Sequence, residues 1–120
     1  MALTKDQILG LDDLPLFEVK VPEWGDEASV FVRMLTSGER DELEALSTVQ
    51  KGDKVELNMK NARARIAAFT LCNEDGSRMF TTEEIDALGR KSAKAIKRIA
   101  DAAYEFNGLS AKARAAAAKN

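Results

Sequence analysis

Residues 73–106 read NEDGSRMFTTEEIDALGRKSAKAIKRIADAAYEF, and the organisation of the chain turns on them. Asn73-Glu74-Asp75-Gly76 is a turn string, because Asn and Asp side chains bond their own backbone and Gly accepts positive φ. Thr81 follows as an N-cap with Glu84 three positions on, and Phe80 and Ile85 stand at the two positions of a hydrophobic staple. Beyond them Ile85, Leu88, Ser92, Ile96, Ile99, Ala103 and Phe106 recur at spacings of three and four, which predicts one amphipathic helix over about 82–106. Asn107-Gly108 supplies its stop signal.

Working back towards the N-terminus, residues 57–72 carry Ala62, Ile66 and Phe69 on one stripe, which predicts a second helix with Arg63 and Arg65 on its wet side and Cys72 at its end. The charged, Gly52-containing residues 50–56 read as a loop. Thr36-Ser37-Gly38-Glu39 has capping-box form and opens a helix over about 38–49 with Leu43, Leu46 and Val49 inward. Phe17, Val19 and Val21 alternate with Glu18 and Lys20, and Val30 to Leu35 is rich in β-formers, so residues 16–35 predict a hairpin turned around Trp24-Gly25-Asp26. Thr4-x-x-Gln7 caps a possible single turn ending at Gly10. Two strands alone are marginal in water and need a helical cover. The fold class expected is therefore α+β and mostly α-helical, a short N-terminal β-hairpin packed on a bundle of about three to four helices. One domain spans 1–108, and an Ala-rich tail over 109–120, capped by Ser110, has little to dock.

Composition restricts the function classes. The 120 residues are 45% hydrophobic and 32% charged, which fits one folded domain, and only 6% aromatic, so the core must be aliphatic and Ala-rich. An acidic residue arrives by Asp6 and no long apolar run follows, so neither a secretory signal nor a membrane helix is expected. The lone Cys72 reads as a small buried hydrophobe in a reducing compartment. With no His in the chain there is no imidazole base or ligand, Cys72 has no evident activating partner, and no phosphate-binding Gly loop occurs. An enzyme is not expected, nor a cofactor.

Two patterns invite sharper readings. Laid on a calcium loop, Asn73, Asp75, Ser77, Met79, Thr81 and Glu84 take the ligand positions, and Phe80 the apolar one. Arg78 stands where the sharp turn wants Gly and puts a cation beside the ion, so any calcium module here would be a degenerate one over 73–84. Arg90, Lys91, Lys94, Lys97 and Arg98 form a basic face opposite the apolar stripe. Residues 1–88 hold 10 Lys/Arg against 18 Asp/Glu, and residues 89–120 hold 8 against 2, so the chain is electrically polar along its length. A nucleic-acid-binding regulator is an alternative, although the whole chain is acidic and no aromatic interleaves with these cations for base stacking. An acidic protein surface, including a second copy of the chain, is the partner these five residues favour.

The strings Val21-Pro22-Glu23-Trp24-Gly25, Val30-Phe31-Val32-Arg33-Met34-Leu35-Thr36-Ser37-Gly38-Glu39-Arg40-Asp41 and Leu71-Cys72-Asn73-Glu74-Asp75-Gly76, with Met79-Phe80 and Asn107-Gly108-Leu109, resemble the tail assembly chaperones of long-tailed bacteriophages. The resemblance implies a small, mostly helical protein of the host cytoplasm, absent from the mature virion. It would bind the tape measure protein and bring tail tube subunits to it. It also implies a longer form made by ribosomal frameshifting, with which the A-rich codons usual for Lys119-Asn120 would agree. A long helical client calls for apolar grooves between helices and a complementary charge face. Salt-sensitive self-association through Arg90, Lys94, Lys97 and Arg98 against acids in residues 1–88 is also expected, with Lys94→Glu/Lys97→Glu abolishing it.

Overall fold

The computed structural model describes residues 1–109, so the expected Ser110-capped, Ala-rich segment lies outside the described residues. The described chain is mixed α+β, with five α-helices and two short antiparallel sheets. Phe17, Val19 and Val32 build the first sheet as their alternation predicts. Strands β1 (Leu16–Lys20) and β2 (Ser29–Arg33) pair antiparallel from Leu16 opposite Arg33 to Lys20 opposite Ser29. A 3₁₀ turn over Pro22–Trp24 joins them.

Before β1, a single turn α1 (Lys5–Leu9) carries a complete Thr4/Gln7 capping box yet buries nothing. After β2, α2 (Ser37–Leu46) starts at the Thr36/Glu39 capping box. It stops three residues short of the expected Val49, because residues 48–57 form a second hairpin where a helix end and a loop were predicted. Strands β3 (Thr48–Lys51) and β4 (Lys54–Leu57) pair across Gly52-Asp53, with Gly52 at φ 61°. Only Leu43 of the three expected core residues of α2 is buried; Leu46 and Val49 are exposed.

Helix α3 (Ala62–Thr70) is shorter than the predicted 57–72 and is buried on every side from Ala64 to Thr70. Arg65 is therefore not on a wet face: it is 5% exposed. Its guanidinium donates from Nη1 to Ser47 Oγ (3.3 Å), from both Nη atoms to the Asn58 carbonyl (3.2 Å each), and from Nη2 to the Lys60 carbonyl (2.6 Å). Burial lowers the guanidinium pKa below its ordinary value.

Leu71 and Cys72 leave the helix as β5 (Leu71–Cys72), which pairs with β2 and makes β2 the central strand. Cys72 is thus on a strand, buried as expected, and burial pushes its thiol pKa up. The Asn73–Gly76 turn closes this segment on itself. Gly76 N–H donates to the Asn73 carbonyl (2.9 Å), Asn73 N–H to that of Ser77 (2.8 Å) and Met79 N–H to that of Leu71 (3.1 Å).

The single helix expected over 82–106 is broken. A 3₁₀ turn (Thr82–Glu84) runs into α4 (Ile85–Leu88), and residues 89–92 then turn the chain into α5 (Ala93–Phe106). Ser92, placed on the apolar stripe by its spacing, instead caps α5, its Oγ accepting from the Ala95 amide (3.3 Å). The C-terminal stop falls as read, with Asn107 at the cap and Gly108 at φ 71°.

Helix α3 is the centre of the core, with α2, α4 and α5 against it and α5 also reaching β2. Ala64, Ala67 and Ala68 of α3 and Ala95, Ala100 and Ala103 of α5 are all buried, so the two backbones approach closely around Ile66, Phe69 and Ile99. Phe17 of β1 meets Phe106 of α5 with ring centroids 4.3 Å apart, which docks the first hairpin on the helix.

Candidate functional site

The five cations of the predicted basic face are divided between two segments. Arg90 and Lys91 lie in the turn between α4 and α5, whereas Lys94, Lys97 and Arg98 lie on exposed positions of α5. Lys97 Nζ donates to Asp101 one turn on (2.7 Å). Arg98 reaches across to the 3₁₀ turn and binds Glu23 through both Nε (2.9 Å) and Nη2 (2.8 Å). The Arg98 hydrogen bond holds the Glu23 carboxyl at about 2, and the same pair raises Arg98. Lys94, Lys97, Arg98, Glu23 and Asp101 together line a shallow, open depression in which each sign meets the other. Lys91 belongs to a different place.

That place is a groove of about 340 Å³ between the start of α3 and the corner that leads into α5. Met59, Ala62, Ala93 and Ile96 give it apolar lining, Asn61 and Tyr104 line it too, and Arg63 and Lys91 contribute its positive charge. Neither cation has an ion-pair partner among the described residues. The groove exists because Gly89 lets the corner close over Asn61, which sits at φ 54° and donates from Nδ2 to Asp86 Oδ1 (2.7 Å).

The β3–β4 hairpin leads into this groove. Thr48 opposite Leu57 and Gln50 opposite Val55 put Val55 and Leu57 on one face, and nothing covers them: Leu57 is 74% exposed, and Met59 at the groove edge 72%. The opposite face carries the Lys51–Glu56 ion pair (3.2 Å). A two-stranded hairpin is marginal alone, and here it is held by Arg65 and by the Asn58 amide donating to the Ser47 carbonyl (2.7 Å). The sequence reads as a helix end, a loop over 50–56 and a helix start at Leu57, yet the strand signal was present: Val55 and Leu57 alternate with charges behind a Gly-x turn.

The 73–84 segment spends its oxygen ligands internally. Asp75 accepts from Ser77 N–H (2.9 Å) and Oγ (2.6 Å), which holds its carboxyl below the usual range. Glu84 accepts from the Thr81 amide (2.9 Å). Arg78, at the position where a calcium loop turns, folds inward over the Phe69 ring, 4.2 Å from its centroid, and donates to the Ala68 carbonyl (3.3 Å). Among the described residues no three His, Cys, Asp or Glu side chains gather where they could hold a metal ion, and no helix is long and apolar enough to cross a membrane.

The family model for phage tail assembly chaperones matches residues 16–120. No curated protein and no solved structure matches the chain. The match takes in every element from β1 onward, and the chain belongs to the phage tail assembly chaperone family.

Proposed function

We propose that this chain binds the tape measure protein during tail assembly, keeps its apolar segments from aggregating, and brings tail tube subunits to it. It does so in the host cytoplasm, without catalysis, and leaves before the virion is complete. The observation that carries this reading is family membership over residues 16–120. The surface that would serve it is the open side of the β3–β4 hairpin with the adjoining groove. Val55, Leu57 and Met59 offer uncovered aliphatic area, and Arg63 and Lys91, without ion-pair partners among the described residues, add positive charge beside it. An amphipathic helix with acids beside its apolar stripe fits such a surface, by the helix-in-groove mode.

Co-expression with a fragment of the phage's own tape measure protein tests this. The wild-type chain should keep the fragment soluble and elute with it. Val55→Ser/Leu57→Ser, which changes only exposed side chains, should lower the soluble fraction several-fold while the chain's own melting curve stays put. A fragment equally insoluble with and without the wild-type chain would overturn the reading.

A further inference from the structure

The N-terminal arm, residues 1–15, precedes the residues shared with the family. Its Thr4 side chain accepts from the Gln7 amide (3.3 Å), and Gln7 returns a bond to the Thr4 amide (2.9 Å), so the turn α1 is fully capped. A five-residue helix has almost no intrinsic stability in water, and this one packs on nothing. Leu3, Ile8, Leu9 and Leu11 are all exposed, Leu9 at 76%. Asp12 and Asp13 follow at once, and neither has an ion-pair partner among the described residues. The arm is thus an apolar knob with an acidic collar.

The groove between α3 and the α4–α5 corner has the complementary make-up, apolar lining from Met59, Ala62, Ala93 and Ile96 with Arg63 and Lys91 beside it and without ion-pair partners among the described residues. At about 340 Å³ it is at the small end of binding pockets, which run from roughly 300 to 1,000 Å³. That is room for two or three aliphatic side chains. We infer that the arm of one copy docks in this groove of a second copy, Leu9 and Leu11 on the apolar lining and Asp12 and Asp13 against Arg63 and Lys91. The interface is heterologous, since arm and groove are different surfaces, so a docked pair still has one arm and one groove free and copies add head to tail into a ring or an open array.

This assignment differs from one through the α5 cations, because Lys97 and Arg98 already have their own acids in Asp101 and Glu23. The groove is shared with the surface proposed for the tape measure protein, but Val55 and Leu57 lie outside it, so the hairpin variants above test tape measure binding separately from arm docking.

Sedimentation velocity of the full chain over a range of concentrations, at low and high salt, tests it. The wild type should associate with rising concentration, less so at high salt. Asp12→Lys/Asp13→Lys and Arg63→Glu/Lys91→Glu should each weaken association by about tenfold, since two exposed pairs become two repulsions. An equimolar mixture of the two double variants should regain association with the two kinds of copy alternating, because the lysine arm of the first meets the glutamate rim of the second and the aspartate arm of the second meets the Arg63 and Lys91 rim of the first. Leu9→Ser/Leu11→Ser should weaken association at every salt concentration. All four pairs of changes are at exposed positions, and unchanged circular dichroism confirms folding. A wild type monomeric throughout overturns the proposal. So does association that the arm variants leave intact but Lys94→Glu/Lys97→Glu abolishes. A monomer whose melting temperature falls in the arm variants also overturns it, since the arm would then rest on its own chain.

Discussion

Arg98 on α5 and Glu23 in the turn after β1 are 75 residues apart and share two hydrogen bonds, from Nε (2.9 Å) and Nη2 (2.8 Å) to the two carboxylate oxygens. The fork fixes how α5 crosses the end of the first hairpin, a contact that the Phe17–Phe106 ring pair makes at the other end of the helix. Arg98 is therefore a structural cation.

The pH dependence follows from the depressed Glu23 carboxyl. Its pKa falls from an ordinary 4.5 to about 2 in the folded chain, so its contribution is complete above pH 4.5 and disappears as pH falls towards 2. Glu23→Gln should melt below the wild type at neutral pH, and the gap should close over that acid window. Lys94→Gln should have a much smaller effect, since Lys94 acts on Glu23 only through its charge and makes no hydrogen bond to it. A Glu23→Gln gap that is independent of pH would show that the pair does not hold the corner.

Arg65 joins α3 to the β3–β4 hairpin, because its guanidinium reaches the carbonyls of Asn58 and Lys60 together with Ser47 Oγ. Arg65→Met keeps the aliphatic stem but strands these acceptors. Hydrogen bonds to a charged group contribute about 1.5–3 kcal/mol, so a loss of about 2–3 kcal/mol is expected in urea melts. Amides of residues 48–57 should also exchange earlier than those of α3. Arg65→Lys should recover only part of the loss, since one ammonium cannot span acceptors arranged for a planar fork. Full stability in Arg65→Met would mean that the hairpin is held by other contacts.

Local rules were legible wherever neighbouring residues set the geometry. The Thr4, Thr36 and Thr81 capping residues, the Asn73–Gly76 turn, the first hairpin and the stop at Asn107-Gly108 all follow from side chains that bond their own backbone or alternate along it. What was not legible depended on distant partners. Leu71 and Cys72 continue the helical stripe of α3 and become a strand only because β2 offers an open edge. Arg65 reads as a wet-face cation until the carbonyls of Asn58 and Lys60 surround it. The 82–106 stripe keeps its period in the sequence although residues 89–92 turn the chain between α4 and α5, and Leu88, Ile96 and Ile99 are buried on both sides of the corner. Of the candidate site, the five basic residues were visible, but their division was not: it is decided by Glu23 and Asp101, one remote and one a helical turn away. The groove joins residues 59–64 to 89–104, and no local pattern announces it.

Gly89 is where that corner closes on Asn61, and its replacement gives a test with a change of sign. Its backbone, at φ −66° and ψ −12°, is one that Ala adopts freely. On that ground alone Gly89→Ala should stabilise by about 0.4–1 kcal/mol, through the unfolded chain. A Cβ there, however, would lie 2.5 Å from Asn61 Oδ1 and 3.0 Å from its Cγ, too close for either atom to stay. Asn61 would have to swing away and give up its bond to Asp86. Losing that bond and the local packing should outweigh the gain, so Gly89→Ala is expected to destabilise by about 1 kcal/mol. In an Asn61→Gly background the obstacle is gone, and the positive φ of residue 61 is still allowed. There the same Gly89→Ala change should stabilise. Urea melts of the four proteins close the cycle, with a coupling of about 1–2 kcal/mol expected for residues in contact. If Gly89→Ala destabilises equally in both backgrounds, Asn61 is not what excludes a side chain, and the corner is set by the α4 backbone instead.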